Sequence, residues 1–334
     1  MKTKELSEIV KRFKKIKPSK TMPICDYVLN VGGKMTHTNL DIFMTVDTGI
    51  ECEFLIAIDS LNKILSKLPK ESEVGFTVQD EKILLNVVGG GTFKFPAGDI
   101  DDFPLPPGMD GAVGALSVSD ISLIKRAVKY CTKDDLRPVF DNVFVGKHVV
   151  GTDLNKLCFY ERENNLKRDI LIASEVVPLL LDCDYVVFEG EKHITLQSQS
   201  HTITFRECGG TFPNYMAVIP QDLPSAFTVD VSQLKTVVEL ALLAANPVSG
   251  LVVLNFSDSG LLITSQDLDF EMSFGQLIAC SKLRGDSITM GYRGKFILDV
   301  LSDCKDIATF EITDPSRATI IDGNKLLMPM MIGQ

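Results

Sequence analysis

The chain has 334 residues, of which 45% are hydrophobic and 23% are charged, and its formal net charge is −10. This length exceeds that of one ordinary domain and predicts two or three, and the composition is typical of a soluble globular protein. No apolar run approaches the roughly 18 residues that span a bilayer, and the basic start has no apolar core, which excludes a transmembrane helix and a secretory signal and favours the cytoplasm.

The first predicted element is an amphipathic helix with a basic face. Four apolar residues recur at helical spacing and would face a core: Leu6, Ile9, Val10 and Phe13. Residues 1–20 carry eight Lys and Arg against two Glu, whereas the rest of the chain carries 26 basic and 42 acidic residues. A basic segment in an acidic chain can form a local surface for nucleic acid. The competing interpretation is a solvated charged face.

A short motif recurs three times along the chain at a constant interval. The central leucines of its copies are 114 residues apart both times, and each copy leads into an apolar, strand-like stretch. We call the copies the marker triplets: Asn39-Leu40-Asp41, Asp153-Leu154-Asn155 and Asp267-Leu268-Asp269. Self-similarity at a fixed interval predicts a repeated structural unit rather than one large domain.

Each marker triplet lies between two helix signals, in the same order in all three repeats. The earlier signals are Leu6 to Phe13, then Ile121, Ile124 and Val128, then Leu234, Val237, Val238 and Ala241. The later signals are DSLNKILSKL from Asp59, SEVVPLLLDC from Ser174 and GKFILDVLSDC from Gly294. Pro178 fits the second of these only within the first turn of a helix.

Alternating apolar and polar residues follow each later helix signal and predict consecutive β-hairpins. Strands outnumber helices, which favours an α+β fold of three repeated domains, each with two helices packed on antiparallel sheets, over a doubly wound parallel sheet. Two loops rich in Pro and Gly, residues 96–111 and 208–226, separate the repeats. The predicted domains are residues 1–110, 111–222 and 223–334.

Catalysis, metal binding and cofactor binding find no support in the sequence. The chain has no GxxxxGK[ST] phosphate loop and no GxSxG elbow, and its four histidines lack the spacing of metal ligands. The eight cysteines contain no CxxC pair and are predicted to be reduced thiols. No cofactor is expected. An enzyme on a triplicated α+β scaffold remains an alternative, which metal dependence or product formation would favour.

Several segments resemble those of the β sliding clamp of bacterial DNA polymerase III, whether encoded by a bacterium or by a phage. DDFPLPP (101–107) resembles its first interdomain connection. The start of its middle domain is similar to LRPVFDNVFV (136–145) followed by GTDLNKL (151–157), and TFPNYMAVIP (211–220) resembles the segment that closes that domain. FILDVL, ITDPS and the terminal LLMPMMI resemble the last domain. The resemblance extends over essentially the whole chain.

The resemblance implies a DNA polymerase processivity factor without enzymatic activity. Two subunits of three domains each would form a head-to-tail homodimeric ring, with helices lining the hole and sheets forming the rim. A clamp loader would open the ring, and a DNA polymerase would dock by a short peptide. A ring holds double-stranded DNA topologically, so weak, sequence-independent electrostatics suffice and permit sliding. The alternative is a clamp-fold interaction scaffold that does not encircle DNA, against which the basic first helix argues.

The resemblance assigns basic residues of the first two repeats to the surface that faces DNA. These predicted residues are Lys4, Lys11, Arg12, Lys15, Lys17, Lys20, Lys63, Lys67, Lys125, Arg126, Lys129 and Arg137. The third repeat is poorer in such residues, and Lys235 and Arg293 are its plainest candidates.

The resemblance also implies a groove for the partner peptide on the middle and last domains. The matching positions are Phe140, Thr152, Leu154, Leu157, Pro213, Val218, Met328, Pro329 and Met330. Methionine is common on adaptable binding surfaces. Family members commonly have Gly-His-Arg where this chain has Leu154-Asn155-Lys156, so we expect the preferred peptide to differ. The alternative is that KLLMPMM is only a closing core strand.

The subunit interface of the family runs between two places in this sequence. Phe93 and Phe95 alternate on one face of the last strand of the first repeat, and Leu242 and Leu243 end the first helix of the third repeat. The alternative is that all four side chains belong to the core of the subunit.

Overall fold

The computed structural model describes residues 1–19, 21–163 and 165–332. The α-helices of these residues are α1 (Thr3–Phe13), α2 (Ile58–Leu65), α3 (Val118–Ala127), α4 (Val231–Leu243) and α5 (Gly294–Leu301). Short 3-10 helices lie at Pro23–Asp26, Val128–Tyr130, Pro138–Asp141, Val177–Leu179 and Tyr215–Val218. No helix in this described part is both long and apolar enough to cross a membrane.

Strands make up most of the remaining regular structure. The first are β1 (Tyr27–Val31), β2 (Lys34–Thr38), β3 (Ile42–Asp47), β4 (Phe54–Ala57), β5 (Val74–Gln79), β6 (Lys82–Val87) and β7 (Thr92–Pro96). Next come β8 (Ala112–Leu116), β9 (Asn142–Val145), β10 (His148–Thr152), β11 (Lys156–Glu161), β12 (Ile170–Ala173), β13 (Tyr185–Glu189), β14 (His193–Gln197) and β15 (His201–Arg206). The last are β16 (Ser225–Asp230), β17 (Leu251–Ser257), β18 (Gly260–Asp267), β19 (Met272–Ile278), β20 (Cys280–Arg284), β21 (Ile288–Arg293), β22 (Ile307–Ile312), β23 (Thr319–Ile321) and β24 (Lys325–Leu327).

The chain divides into two compact units. The first unit consists of Met1–Ser122 with Asn164–Cys208, and the second of Leu123–Glu163 with Gly209–Gln334. The division cuts through the predicted middle domain because the strands of that domain pair with both neighbouring repeats: β15 pairs with β3, and β11 pairs with β24. The division into three domains stays a prediction.

The first unit contains an eight-stranded and a three-stranded sheet. Their strand orders are β4-β1-β2-β3-β15-β14-β13-β8 and β5-β6-β7. Helices α1 and α2 pack against each other. Helix α1 forms because its apolar residues share one face, and Leu6, Val10 and Phe13 are completely buried. Its first turn is stabilised by Glu5, whose carboxylate accepts a hydrogen bond from the backbone N–H of Lys2 at 3.3 Å.

The second unit also contains two sheets. Eight of its strands run in the order β9-β10-β11-β24-β23-β22-β16-β20, and four form the sheet β19-β18-β17-β21. Helix α4 starts at the N-cap Asp230, whose carboxylate accepts a hydrogen bond from the backbone N–H of Gln233 at 2.7 Å. The strand pairs of both units run antiparallel. This confirms the predicted α+β class.

The marker triplets are tight turns that join two strands in each repeat. In the first two, the side chain of Asn39 or Asp153 accepts hydrogen bonds from two following backbone N–H groups at 2.8–3.2 Å. Leu40 and Leu154 lie in the left-handed region, with φ of 81° and 72°. In the third, Asp267 accepts one such bond, from the backbone N–H of Asp269 at 3.0 Å. The repeated motif thus encodes a repeated Asx turn.

One predicted helix does not form. The segment SEVVPLLLDC contains only the 3-10 turn Val177–Leu179, after which Leu180 is extended. The backbone N–H of Leu181 donates to the hydroxyl of Tyr185 at 2.9 Å, which replaces the carbonyl partner that a helix would supply. Pro178 removes a further donor. The helix signals that gave α1, α2, α3, α4 and α5 are confirmed.

Candidate functional site

The exposed face of α1 carries lysines that form no ion pair in the part of the chain that the structure describes. Lys4 and Lys11 are exposed, and so are Lys63 and Lys67 at the neighbouring α2. Within the described residues none of these four forms an ion pair, in contrast with Lys17, whose ammonium lies 3.6 Å from the carboxylate of Glu175. Four free ammonium groups on adjacent helices make a local positive surface on an acidic protein.

A cleft of about 150 Å³ lies between α1 and the segment that follows α2. Lys4, Lys11 and Lys70 line it together with the hydroxyl-bearing Ser7 and Ser66. Sequence analysis missed Lys70, because no helical periodicity connects it to α1. The backbone N–H of Lys4 donates to the carbonyl of Lys70 at 3.0 Å, which holds the two lysines at the same cleft. Lys15 is exposed as well, and its ammonium donates to the carbonyl of Pro178 at 3.0 Å.

Arg12 differs from the other basic residues of α1. Its side chain is half-buried, and its Nε and Nη2 atoms are buried without a hydrogen-bond partner in the described residues. Burial lowers the pKa of this guanidinium, an effect that Tyr185 and Cys183 partly oppose. Arg12 therefore points into the first unit and does not extend the exposed basic face. Lys20, which was also assigned to DNA, lies outside the described residues.

The predicted cations of the second unit are largely engaged in internal contacts. The guanidinium of Arg126 binds both carboxylate oxygens of Asp303, at 2.7 and 3.3 Å, and lies over the ring of Tyr160. The hydroxyl of Tyr160 also donates to Asp303. Arg137 pairs with Asp134 at 2.7 Å. Lys129 remains exposed, and Lys125 is half-exposed.

An apolar pocket of about 160 Å³ lies in the second unit. Three segments that are distant in sequence line it, namely 152–157, 213–218 and 326–328. The lining residues are Thr152, Leu154, Lys156, Leu157, Pro213, Asn214, Tyr215, Val218, Leu326 and Met328. Six of the nine residues predicted for the peptide groove are among them: Thr152, Leu154, Leu157, Pro213, Val218 and Met328.

Strand pairing brings the walls of this pocket together. β11 and β24 pair antiparallel with Leu157 opposite Leu326, and both leucines belong to a buried cluster under the pocket. Phe212 and Tyr215 pack on the same cluster, and Phe212 stacks on Phe144 with ring centroids 5.1 Å apart. The loop that carries Pro213 and Val218 is thereby anchored beside the strands. A pocket with apolar walls on a fixed frame suits an apolar side chain.

The other three predicted groove residues do not line the pocket. Phe140 is buried beneath the guanidinium of Arg137. The backbone N–H of Met330 donates to the carbonyl of Gly291 at 2.7 Å, and Pro329 precedes it. Sequence analysis missed Lys156, Asn214, Tyr215 and Leu326. Each lies within one or two residues of a predicted groove residue. The predicted segments therefore line the pocket, but some of the individual residues differ.

Lys156 is a buried cation at the edge of this apolar pocket. Its ammonium lies 2.5 Å from the carboxylate of Asp299 and 3.9 Å from that of Asp153, and it donates to the carbonyl of Lys129 at 3.0 Å. Burial raises the pKa of the Asp153 carboxyl, while the turn N–H groups and Lys156 act in the opposite direction. The charge of Lys156 is thus compensated inside the unit, and the pocket presents no unpaired charge from it.

The predicted interface residues divide between exposed and buried positions. Phe93 on β7 is 39% exposed and Leu243 on α4 is 74% exposed, whereas Phe95 is 8% exposed and Leu242 is half-buried. β7 ends the three-stranded sheet of the first unit, and β19 ends the four-stranded sheet of the second. Phe95 belongs to the core, as the alternative interpretation held, while Phe93 and Leu243 are available for contact.

Comparison with known proteins agrees with this architecture. Residues 216–326 match the model of the C-terminal domain of the DNA polymerase III beta subunit. The chain is 23% identical over 280 residues to the Beta sliding clamp homolog GriR of Streptomyces muensis (78% of this chain, 73% of that protein). It is 23% identical over 275 residues to the Beta sliding clamp of Synechococcus elongatus (72% and 69%).

Solved structures show the same fold over nearly the whole chain. A DnaN sliding clamp from Pseudomonas aeruginosa bound to griselimycin superposes with a TM-score of 0.89 at 18% identity, over 99% of this chain and 98% of that chain. The DNA polymerase III subunit beta of the same organism gives a TM-score of 0.87. The fold is therefore that of a sliding clamp. The match of residues 216–326 to the C-terminal domain of the DNA polymerase III beta subunit and the relatives named beta sliding clamp agree with this fold.

Proposed function

We propose that two copies of this chain form a head-to-tail ring around double-stranded DNA, and that a DNA polymerase docks on the apolar pocket. The pocket carries the proposal: six residues from three distant segments, Thr152, Leu154, Leu157, Pro213, Val218 and Met328, converge on it in a protein of the clamp family. Convergent apolar side chains offer a site for the anchor residue of a peptide. In this proposal each subunit has three clamp domains, residues 1–110, 111–222 and 223–334.

Two features of the units support a ring. The edge strands β7 and β19 leave backbone N–H and C=O groups without a neighbouring strand, and such edges are normally covered. Each edge lies in the same unit as an exposed apolar side chain, Phe93 in the first and Leu243 in the second. The two patches differ, so a contact between them is head-to-tail, and it forms a closed ring if the rotation allows.

The free lysines of α1 and α2 support DNA as the occupant of the hole. Lys4, Lys11, Lys63 and Lys67 would attract phosphates without reading base edges, which suits sliding. A closed ring cannot pass over circular DNA, so a clamp loader would be needed to open it. An interaction scaffold that does not encircle DNA is the competing function, and it would not explain why these lysines are exposed and unpaired among the described residues.

Retention on circular DNA tests the ring. After loading by its clamp loader onto a nicked circular plasmid, the protein should stay with the circle through gel filtration, and it should be lost when the plasmid is cut once. Light scattering at micromolar concentration should show a dimer of 36.8 kDa subunits. Equal retention on circular and linear DNA, or a stable monomer, would favour the scaffold.

The double substitution Phe93→Asp with Leu243→Asp provides the matched control. Charges in an apolar interface are costly to bury, so this variant should be a folded monomer that is not retained on the circle. A variant that still dimerises and is retained on the circle would show that the subunit interface lies elsewhere.

A further inference from the structure

Polar residues on one face of α1 line the cleft between this helix and the segment that follows α2. Lys4, Ser7, Glu8 and Lys11 recur at the spacings of three and four residues that place side chains one above the other along a helix. Lys70 lines the same cleft from the segment beyond α2. Three lysines and one glutamate therefore border a space of about 150 Å³.

The walls of this cleft are joined by hydrogen bonds. The backbone N–H of Lys4 donates to the carbonyl of Lys70 at 3.0 Å, and that of Thr3 donates to the carbonyl of Ser72 at 2.9 Å. The hydroxyls of Thr3 and Ser72 form a further hydrogen bond at 2.8 Å. Because these bonds occupy the first N–H groups of α1, an anion in the cleft would bind side chains rather than the helix N-terminus. A cleft held in this way needs little reorganisation to bind a ligand.

The lysines of the cleft have no carboxylate to neutralise them individually. Lys4, Lys11 and Lys70 are exposed, and none of them forms an ion pair within the described residues. The carboxylate of Glu71 pairs at 3.0 Å with Lys2, which does not line the cleft. Three ammonium groups against the one carboxylate of Glu8 give the lining a net charge of +2. A cleft with an excess of one charge attracts ligands of the opposite charge.

The third repeat shows that the fold alone does not produce this charge. Its helices α4 and α5 pack against each other as α1 and α2 do. In both pairs the first backbone N–H of the earlier helix donates to a carbonyl beyond the later helix, at 2.9 Å. Two repeat intervals after Lys4 and Lys11, however, the chain has Ser232 and Glu239. The same packing exists without these lysines, so the basic cleft is a feature of the first repeat alone.

We infer that the cleft is a binding site for one phosphate group, which the ammonium groups of Lys4, Lys11 and Lys70 and the hydroxyl of Ser7 would hold. An ammonium group offers a compact charge with three donors, and a serine hydroxyl offers one more. The size agrees, because a cavity of about 150 Å³ admits benzene, and a phosphate group is smaller than benzene whereas a nucleotide is much larger. The phosphate belongs either to the DNA backbone, in which case the inference rests on the proposed function, or to a free phosphate compound.

Isothermal titration of inorganic pyrophosphate into the full-length protein at constant ionic strength tests the site. The wild type should bind one pyrophosphate per chain, and Lys70→Ala should weaken binding about tenfold, because a hydrogen bond to a charged group is lost. Lys70→Arg should stay within about threefold of the wild type, since arginine keeps a charge that binds phosphate. Lys67→Ala removes the same charge from a neighbour that does not line the cleft, and it should change the affinity by at most about twofold. Equal melting temperatures would show that the variants are folded.

Binding of a labelled DNA duplex across a salt series identifies the source of the phosphate. If the cleft takes a backbone phosphate, Lys70→Ala should lower the slope of log affinity against log salt by about 0.9, because one phosphate contact is lost. Pyrophosphate should then compete with the duplex for the wild type. An unchanged slope, together with pyrophosphate binding by the wild type, would assign the cleft to a free phosphate compound.

Two results would refute the site. One is a wild type that does not bind pyrophosphate. The other is a loss in Lys67→Ala as large as that in Lys70→Ala, because the anion then responds to local charge and not to the cleft. Retention on circular DNA tests the ring separately. A wild type that stays on the circle without binding pyrophosphate would keep the ring and exclude the site, and one that binds pyrophosphate but leaves the circle would keep the site and exclude the ring.

Discussion

The two units use basic residues in opposite ways. In the first, Lys4 and Lys11 are exposed on α1 and have no acidic partner among the described residues. In the second, the guanidinium of Arg126 binds both carboxylate oxygens of Asp303, and the buried ammonium of Lys156 lies against the carboxylate of Asp299. A free, hydrated cation attracts DNA at a distance, whereas a paired one holds its own protein together.

The paired cations of the second unit lie at or near the residues that line the apolar pocket. Asp299 and Asp303 are four residues apart in sequence at the end of α5, and they bind Lys156 and Arg126, which come from β11 and α3. Lys156 and the adjacent Leu157 both line the pocket. These ion pairs therefore tie the strand that forms the pocket to the C-terminal part of the chain. In this unit Lys156 and Arg126 thus contribute to the structure around the pocket.

Charge reversal on the first unit should produce the largest effect. We expect Lys4→Glu, Lys11→Glu and Lys63→Glu together to reduce binding to duplex DNA by about a hundredfold at low salt, because repulsion replaces attraction near the phosphates. The slope of log affinity against log salt should fall as well. Fluorescence anisotropy of a labelled duplex across a salt series measures both.

A control with the same net charge is Lys34→Glu, Lys192→Glu and Lys305→Glu, at exposed positions outside α1 and α2. It should change binding far less. If both triple variants lose affinity equally, DNA affinity depends on the net charge of the protein alone, and the basic face of α1 is not a specific DNA-binding surface.

Breaking a pair in the second unit should produce an intermediate effect. Asp303→Asn leaves the guanidinium of Arg126 without its carboxylate and removes the acceptor of the Tyr160 hydroxyl, so unfolding in urea should become easier by about 2 kcal/mol. The pair of Arg137 and Asp134, which is more exposed than that of Arg126 and Asp303, offers a matched control. Asp134→Asn should leave the urea midpoint unchanged within error. Equal losses in the two variants would show that burial does not distinguish these pairs.

The last effect concerns His201, a buried histidine of the first unit. Burial, assisted by the nearby charge of Arg12, lowers the pKa of His201 from its usual 6.5 to about 4. Its ring nitrogens are held by the hydroxyls of Tyr185 and Ser198, both at 2.8 Å. Between pH 6.5 and 4 the unfolded chain binds a proton at this residue that the folded chain does not. Stability should therefore fall as the pH falls through this window, by at most about 1.4 kcal/mol per pH unit.

Thermal unfolding of wild type and His201→Gln between pH 4.5 and 7 measures this slope. The variant should be less stable at pH 7 and should depend less on pH in the window. His193→Gln, at a less buried histidine, should keep most of the wild-type dependence. If His201→Gln keeps it instead, other groups account for the loss at low pH.

Local patterns were sufficient for much of the fold. The helical spacing of Leu6, Val10 and Phe13 predicted α1, and the interval between Leu40 and Leu154 predicted a repeated unit, in which the structure shows the same turn twice. Period and turn chemistry are local properties, so they can be read from a sequence without a structure. The groove segments followed from their resemblance to a known family, and three of the nine assigned residues lie outside the pocket, in the 3-10 helix Pro138–Asp141 and after β24.

The sequence by itself determined the antiparallel α+β class and the amphipathic first helix, and it predicts three repeats. Only the tertiary structure decided which basic residues are free. Arg12 and Arg126 look like their neighbours in sequence, yet Arg12 points toward Tyr185, and Arg126 binds Asp303, which lies 177 residues further along the chain. The tertiary structure also decided the conformation of SEVVPLLLDC. The hydroxyl of Tyr185 accepts a hydrogen bond from the backbone N–H of Leu181, and the helix does not form. Whether a charged group is paired, or a backbone N–H has a partner, depends on residues that come close only in the folded chain. The local spacing of residues in the sequence does not show these contacts.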